Sequence, residues 1–178
     1  MPAEFSEEEM NTILILDNAL KPKSVRRKID AIAKRVEQKL LAEETKSDLV
    51  WEPVPLETYQ SDLPDIIRSS WVFAVRARAN TGDERHPNSH QYMMSYKGRG
   101  DLQIWIDEDW KSNHLVSTFG DSLESRWVSV PPVVWHRALG SEENWIVVSF
   151  HTASADELVE ERPEPDDDKK LRQRYYVK

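Results

Sequence analysis

The residues best suited to chemistry lie between Gly82 and Gly100, in the run GDERHPNSHQYMMSYKGRG, and in a distant partner, PPVVWHR, from Pro131 to Arg137. Between them they hold His86, His90 and His136, three of the five histidines of the chain. Glu84 and His86 are two residues apart, so in an extended segment both side chains point to one face. With His136 they form a two-histidine, one-carboxylate set, the open-sided arrangement that suits Fe(II) and, with other partners, Zn, Ni or Mn. Gln91 offers a further oxygen, either to the metal or to a water on it. His90 has three readings: a replacement ligand, an acid–base group, or a cap on the Pro87–Ser89 turn. His114, in a Lys-Ser-Asn-His loop, is expected to be solvated.

The segments around these residues read as strands. Trp71, Phe73, Val75 and Ala77 alternate with Val72, Ala74, Arg76 and Arg78 ahead of the first motif. Further strands are expected at Tyr92–Tyr96, Leu102–Ile106, Leu115–Thr118, Trp127–Val130 and Trp145–Phe150, separated by Gly- and Asn-containing turns. Many short strands predict a sandwich or jelly roll. On the strand before the first motif, Arg76 and Arg78 are either solvated or one of them points inward. A buried guanidinium needs an anionic partner, and a substrate carboxylate would serve. On the closing strand Ser149 and His151 share a face and could supply hydrogen bonds or proton transfer.

These motifs resemble those of the cupin superfamily, small jelly-roll barrels with two metal-binding motifs. Anchored on Gly98, the resemblance makes Glu84, His86 and Gln91 the ligand positions of the first motif and His136 that of the second, with Glu84 and Gln91 standing where a His and a Glu are usual. The run His86 to Gly98, His136-Arg137 and Ser149-Phe150-His151 are also similar to the cysteine dioxygenase-type thiol dioxygenases. There the first ligand is a histidine where this chain has Glu84, and a tyrosine stands where it has Ala153. The resemblance covers about half the chain, roughly Trp71 to Thr152. It implies a metal-dependent enzyme acting on a small polar molecule, a carboxylic acid in one reading, with Fe(II) as the metal and dioxygenation as the reaction. On that reading His90, Ser149 and His151 are catalytic and Arg76, Arg78 and Tyr92 touch substrate. A redox-neutral lyase, isomerase or hydrolase using Zn, Ni or Mn is the alternative within enzymes, and a non-catalytic small-molecule binder the alternative outside them.

The rest of the chain must position these residues. Its 178 residues suit one domain with extensions: a helical segment over 1–48, a barrel over 49–155 and a charged tail over 156–178. Ser6-Glu-Glu-Glu9 is a capping box. Lys21-Pro22-Lys23 breaks the helix, Ser24 can cap a second, and Val25, Ile29, Ile32, Val36 and Leu40 repeat on one face. The expected helical hairpin would cover one barrel face or join two copies in a homodimer. Residues 49–68, with Pro53, Pro55 and Pro64, suggest an edge strand or extended connector. The tail starts helically at Asp156 and then turns into a mobile, charged stretch ending in a docked Tyr175-Tyr176.

Composition removes several classes of function. A net charge of −8 argues against nucleic acid and anionic membrane as partners. There is no cysteine, hence no disulfide, thiolate metal site or cysteine nucleophile. With no long apolar run and no basic-then-apolar leader, a cytoplasmic protein is expected.

Overall fold

Ser6 opens the first helix, α1 (Glu7–Ala19). Its Oγ accepts the Glu9 N–H while the Glu9 carboxylate accepts the Ser6 N–H, so the expected capping box forms. Pro22, not Ser24, is the N-cap of α2 (Lys23–Leu41). Ser24 instead donates to Gln60 Oε1, tying the start of α2 to a distant turn. The computed structural model describes residues 5–42, 46–60 and 63–176.

The apolar stripe of α2 is fully used: Val25, Ile29, Ile32, Val36 and Leu40 are all buried. It lies on a five-stranded sheet of order β1-β2-β9-β3-β7, built from β1 (Leu49–Pro53), β2 (Ser69–Val75), β3 (Gln91–Lys97), β7 (Trp127–Val130) and β9 (Trp145–His151). Its pairs are all antiparallel, with β1 at an edge, where Pro53 is tolerated. Alternate side chains serve two cores. Val72, Ala74, Tyr92, Met94, Val148 and Phe150 meet the helices. Trp71, Phe73, Met93, Val128 and Val147 face a second sheet. With both faces covered, every residue of β2 and β9 is buried.

The second sheet centres on β4 (Arg99–Ile106). β8 (His136–Gly140) pairs along one side, and β5 (Asp109–Lys111) and β6 (His114–Val116) share the other. The Trp145 ring lies flat against Gly100, where an added Cβ would come within 2.2 Å of it, so only glycine fits. The indole N–H of Trp145 donates to the buried Ser95 Oγ at 2.8 Å. A short helix, α3 (Leu123–Arg126), leads into β7.

The tail departs from expectation. In place of a helix and a mobile stretch, β10 (Val159–Glu164) and β11 (Asp167–Tyr175) form an antiparallel hairpin. Composition concealed it because its stabilising contacts are cross-strand charges and one buried ring. Glu160 stands opposite Arg174, and Tyr176 is buried against Trp51, Trp71 and Phe73. Tyr175 stays exposed.

The first helix is anchored beside β7 by one buried charged contact. Arg126 Nη1 donates to Asp17 Oδ1 at 2.6 Å, both side chains 3% exposed, and the Trp127 indole donates to the same oxygen at 2.9 Å. Removing one partner strands the other charge in the core. Asp17→Ala is expected to lower stability by about 3–5 kcal/mol. Urea unfolding checks this; a midpoint equal to that of the parent would show that the contact carries no stability.

Candidate metal centre

The two sequence motifs meet through the backbone. Glu84 and His136 exchange both N–H···O=C bonds, at 2.9 and 2.8 Å, in an isolated antiparallel bridge. Directly opposed residues in such a pair project to the same side, so the Glu84 carboxylate and the His136 imidazole are neighbours by construction. Val133, in the left-handed region at φ 62°, turns the Pro-Pro segment so that its N–H reaches the His86 carbonyl at 3.0 Å. Arg85 points away, pairs with Glu161 at 2.7 Å and lies over the Trp135 ring.

Glu84, His86 and His136 are all buried, and one ligand atom from each lies within 4.8 Å of the others. Both imidazoles are oriented by carbonyls. His86 Nδ1 donates to Val159 O at 2.9 Å and His136 Nδ1 to Val134 O at 3.2 Å. A carbonyl only accepts, so each ring presents Nε2 to the cluster, the outer-shell arrangement that fixes a metal-binding imidazole. His136 Nε2 has no hydrogen-bond partner, lying 3.4 Å from Glu84 Oε1. Arg162 from β10 holds Glu84 Oε2, leaving Oε1 turned inward.

Around this cluster lie further unmatched polar atoms. Gln91 Oε1, Ser149 Oγ and His151 Nε2 are buried without partners. Gln91 and His151 stand opposite each other on β3 and β9, and the His151 ring meets that of His86 edge-on at 5.1 Å. Glu84, Gln91 and His136 line one cavity of about 20 Å³, walled by Phe73, Met93 and Leu102. That is room for a water or an ion.

Burial and charge set the protonation states. Burial alone pushes the Glu84 carboxyl up, but the adjacent His136 ring and the charge of Arg162 outweigh it and hold it at about 2. Burial, then the neighbouring His136, lowers His86 to about 4. Burial also drives His151 well below its ordinary value, with His86 and His136 adding to it. The cluster therefore offers the Glu84 carboxylate and the neutral imidazoles of His86 and His151 near neutral pH, the forms that ligate cations. The donor set, the orphaned His136 Nε2 and the cavity size together fit a divalent metal.

The structure separates the other sequence candidates. Ser149 shares the His151 face of β9, and Gln91 and His151 lie beside the cluster. His90 and Tyr92 do not: β3 alternates, so they fall on the opposite face from Gln91, under the helices. His90 Nε2 meets Ser129 Oγ at 2.6 Å beside Glu9, and its ring stacks on Tyr92 at 4.5 Å. Neither Arg76 nor Arg78 enters the barrel, against the reading that turned one inward. Arg76 donates to the Leu40 and Ser47 carbonyls, and the exposed Arg78 pairs with Glu142. His114 is solvated, 82% exposed. Arg162 and Glu160 were missed, because a charged alternating segment carries no apolar period to mark a strand; Tyr176 is docked as expected.

No protein-family model and no curated protein matches the chain. Solved structures do match it in shape. A variant of the salicylate 1,2-dioxygenase from Pseudoaminobacter salicylatoxidans, in complex with gentisate, aligns at TM-score 0.51 and 13% identity, over 68% of this chain and 32% of that one. The fold is that of the cupins. A cupin-2 domain protein from Rhodospirillum rubrum aligns at TM-score 0.48 and 18% identity, over 71% of this chain and 76% of that one. An oxalate oxidase in complex with glycolate aligns at 0.44 and 15%, over 60% and 52%. The chain thus spans about a third of the dioxygenase and half of the oxidase. In this cupin barrel the four ligand positions implied by the motif resemblance, Glu84, His86, Gln91 and His136, converge on one place.

A pH dependence follows for the protein treated with chelator. Between pH 6.5 and 4 the unfolded chain takes up a proton at His86 that the folded chain refuses, so stability falls as pH falls, by roughly 2–3 kcal/mol from this group. His151 acts in the same direction. Glu84, whose folded value is depressed, adds a further loss as pH drops from its ordinary value toward 2. Urea midpoints at pH 7, 5.5 and 4 should decline, with a shallower slope in His86→Gln; equal slopes would contradict the assignment.

Proposed function

We propose that this protein is a metal-dependent cupin enzyme acting on a small carboxylic acid, with Fe(II) as the metal and dioxygenation as the reaction. The observation that carries the reading is the buried Glu84, His86, His136 set, with both imidazoles turned by backbone carbonyls so that Nε2 faces the carboxylate. Two histidines and one carboxylate with open positions are the ligand set of non-haem Fe(II) oxygenases. The dioxygenase that shares the fold is named for salicylate, itself an aromatic carboxylate.

In this reading Glu84, His86 and His136 hold the ion, with Gln91 beside them. The ion supplies Lewis-acid and O2-activating chemistry. The protein's own groups set up the rest. Arg162 fixes the rotamer of Glu84 and balances its charge. Ser89 Oγ donates to the His90 carbonyl at 3.0 Å, accepts the Thr152 and Ala153 N–H groups at 3.1 and 3.2 Å, and lies 3.4 Å from His151 Nδ1, while His151 Nε2, buried without a partner, is open to a substrate hydroxyl. Ser149 offers a hydroxyl from the same strand face. Phe73, Met93 and Leu102 keep bulk water out, strengthening each of these contacts.

A second reading rests on the same Arg162–Glu84 pair. Because it neutralises the carboxylate without an ion, it favours a non-catalytic binder in which no metal is needed. Metal analysis of protein purified without chelator separates the readings. Near-stoichiometric iron supports the oxygenase, zinc or nickel a lyase, isomerase or hydrolase, and absence of metal after iron loading the binder. His86→Ala and His136→Ala should each lower metal content at least tenfold, while His114→Ala leaves it unchanged. Equal occupancy in all three variants would falsify the centre as drawn.

A further inference from the structure

Between the edge strand β1 and the β10–β11 hairpin lies a second pocket, of about 420 Å³, within the size range of small-molecule sites. Arg162, Arg172 and Arg174 line it, together with Trp51, Asn80 and Thr81. The three guanidiniums come from one face of the hairpin, because Glu160 pairs with Arg174 in the ladder and Arg162 with Arg172. Two of them are spoken for. Glu160 Oε1 accepts from Arg162 Nε at 2.8 Å and from Arg174 Nε at 2.9 Å, and Arg162 also reaches the Thr81 carbonyl and Glu84. Arg174 lies over the Trp51 ring. Arg172 is exposed and has no ion-pair partner among the described residues, and it stands directly opposite Arg162. Like charges in that position destabilise a hairpin, so an anion seated between them would relieve the repulsion.

Asp48 stands on the rim and pairs with Arg76 at 3.5 Å; Glu84 and Glu160 lie behind Arg162. Among the described residues these four guanidiniums meet three carboxylates, one positive charge in excess within a chain of net charge −8. A single excess charge matches a carboxylate better than a doubly charged phosphate, and a planar guanidinium binds a carboxylate through two parallel hydrogen bonds.

We infer that this pocket seats the carboxylate of a small organic acid on Arg172, with Arg174 and Arg162 beside it. The Arg162 guanidinium touches both the pocket and Glu84, so an acid held here lies next to the candidate metal centre. These arginines take the role that the sequence offered to Arg76 and Arg78. Naming the bound acid a substrate rests on the proposed function; the pocket itself does not.

The test is calorimetric titration of the full chain, treated with chelator and at low ionic strength, with benzoate, its uncharged counterpart benzamide, and inorganic phosphate. Because no metal is present, failure of the metal reading leaves this result intact, and failure here leaves the metal analysis intact. Benzoate is expected to bind one per chain, more tightly than phosphate, and to weaken as salt is raised. Arg172→Gln should weaken it about tenfold, Arg172→Lys less, and Arg27→Gln, on the exposed side of α2, not at all. Melting curves establish that the variants are folded. Equal binding of benzamide, equal binding in Arg172→Gln, tighter binding of phosphate or no binding of benzoate would each overturn the assignment.

Discussion

The candidate centre depends on one pair of backbone hydrogen bonds, those between Glu84 and His136. Fifty-two residues separate the two in sequence, yet once their N–H and C=O groups pair, their side chains share a side without further adjustment. The Pro-Pro turn then needs only Val133 in a left-handed conformation to place His136 at the start of β8. His86 follows from the two-residue period of an extended segment. A side-chain contact alone would leave several rotamers open; here the ladder decides.

Charge balance inside the barrel follows from the same geometry. A buried carboxylate beside two imidazoles is stable only if something compensates it, and Arg162 is delivered for that purpose by a different part of the chain. The arrangement has a chemical cost that the protein meets locally: Arg162 is itself held by Glu160 and by the Thr81 carbonyl, so the guanidinium does not wander into the cavity. The result is a polar interior in an otherwise aromatic and aliphatic core, bounded by Trp71, Phe73 and Val147 on the sheet face.

Much of this was legible beforehand, for identifiable reasons. Apolar repeats at helical spacing marked α2, period-two alternation marked β2 and β9, and the Glu-x-His and Pro-Pro-x-x-x-His spacings marked the cluster. What failed was parity and partnership. His90 and Gln91 are adjacent in an extended segment, so only one of them could face inward. Arg76 and Arg78 lie past the end of β2, where the strand gives way to a turn, so the alternation that marked Val72 and Ala74 no longer decides where they point. The hairpin was invisible because its pairing is electrostatic: Glu160 with Arg174 and Glu161 with Gln173 leave no hydrophobic signature.

The hydrogen bond from His86 to the Val159 carbonyl ties ligand geometry to that hairpin. Seventy-three residues apart in the chain, the two meet only when β10 is seated. Local opening of a peripheral hairpin is an equilibrium with its own free energy, smaller than that of global unfolding. Anything that requires the His86 imidazole in its present orientation therefore binds with an intrinsic affinity scaled by the fraction of molecules in which the hairpin is closed. Strengthening or loosening β10–β11, at positions that never touch the cluster, becomes a way to tune it.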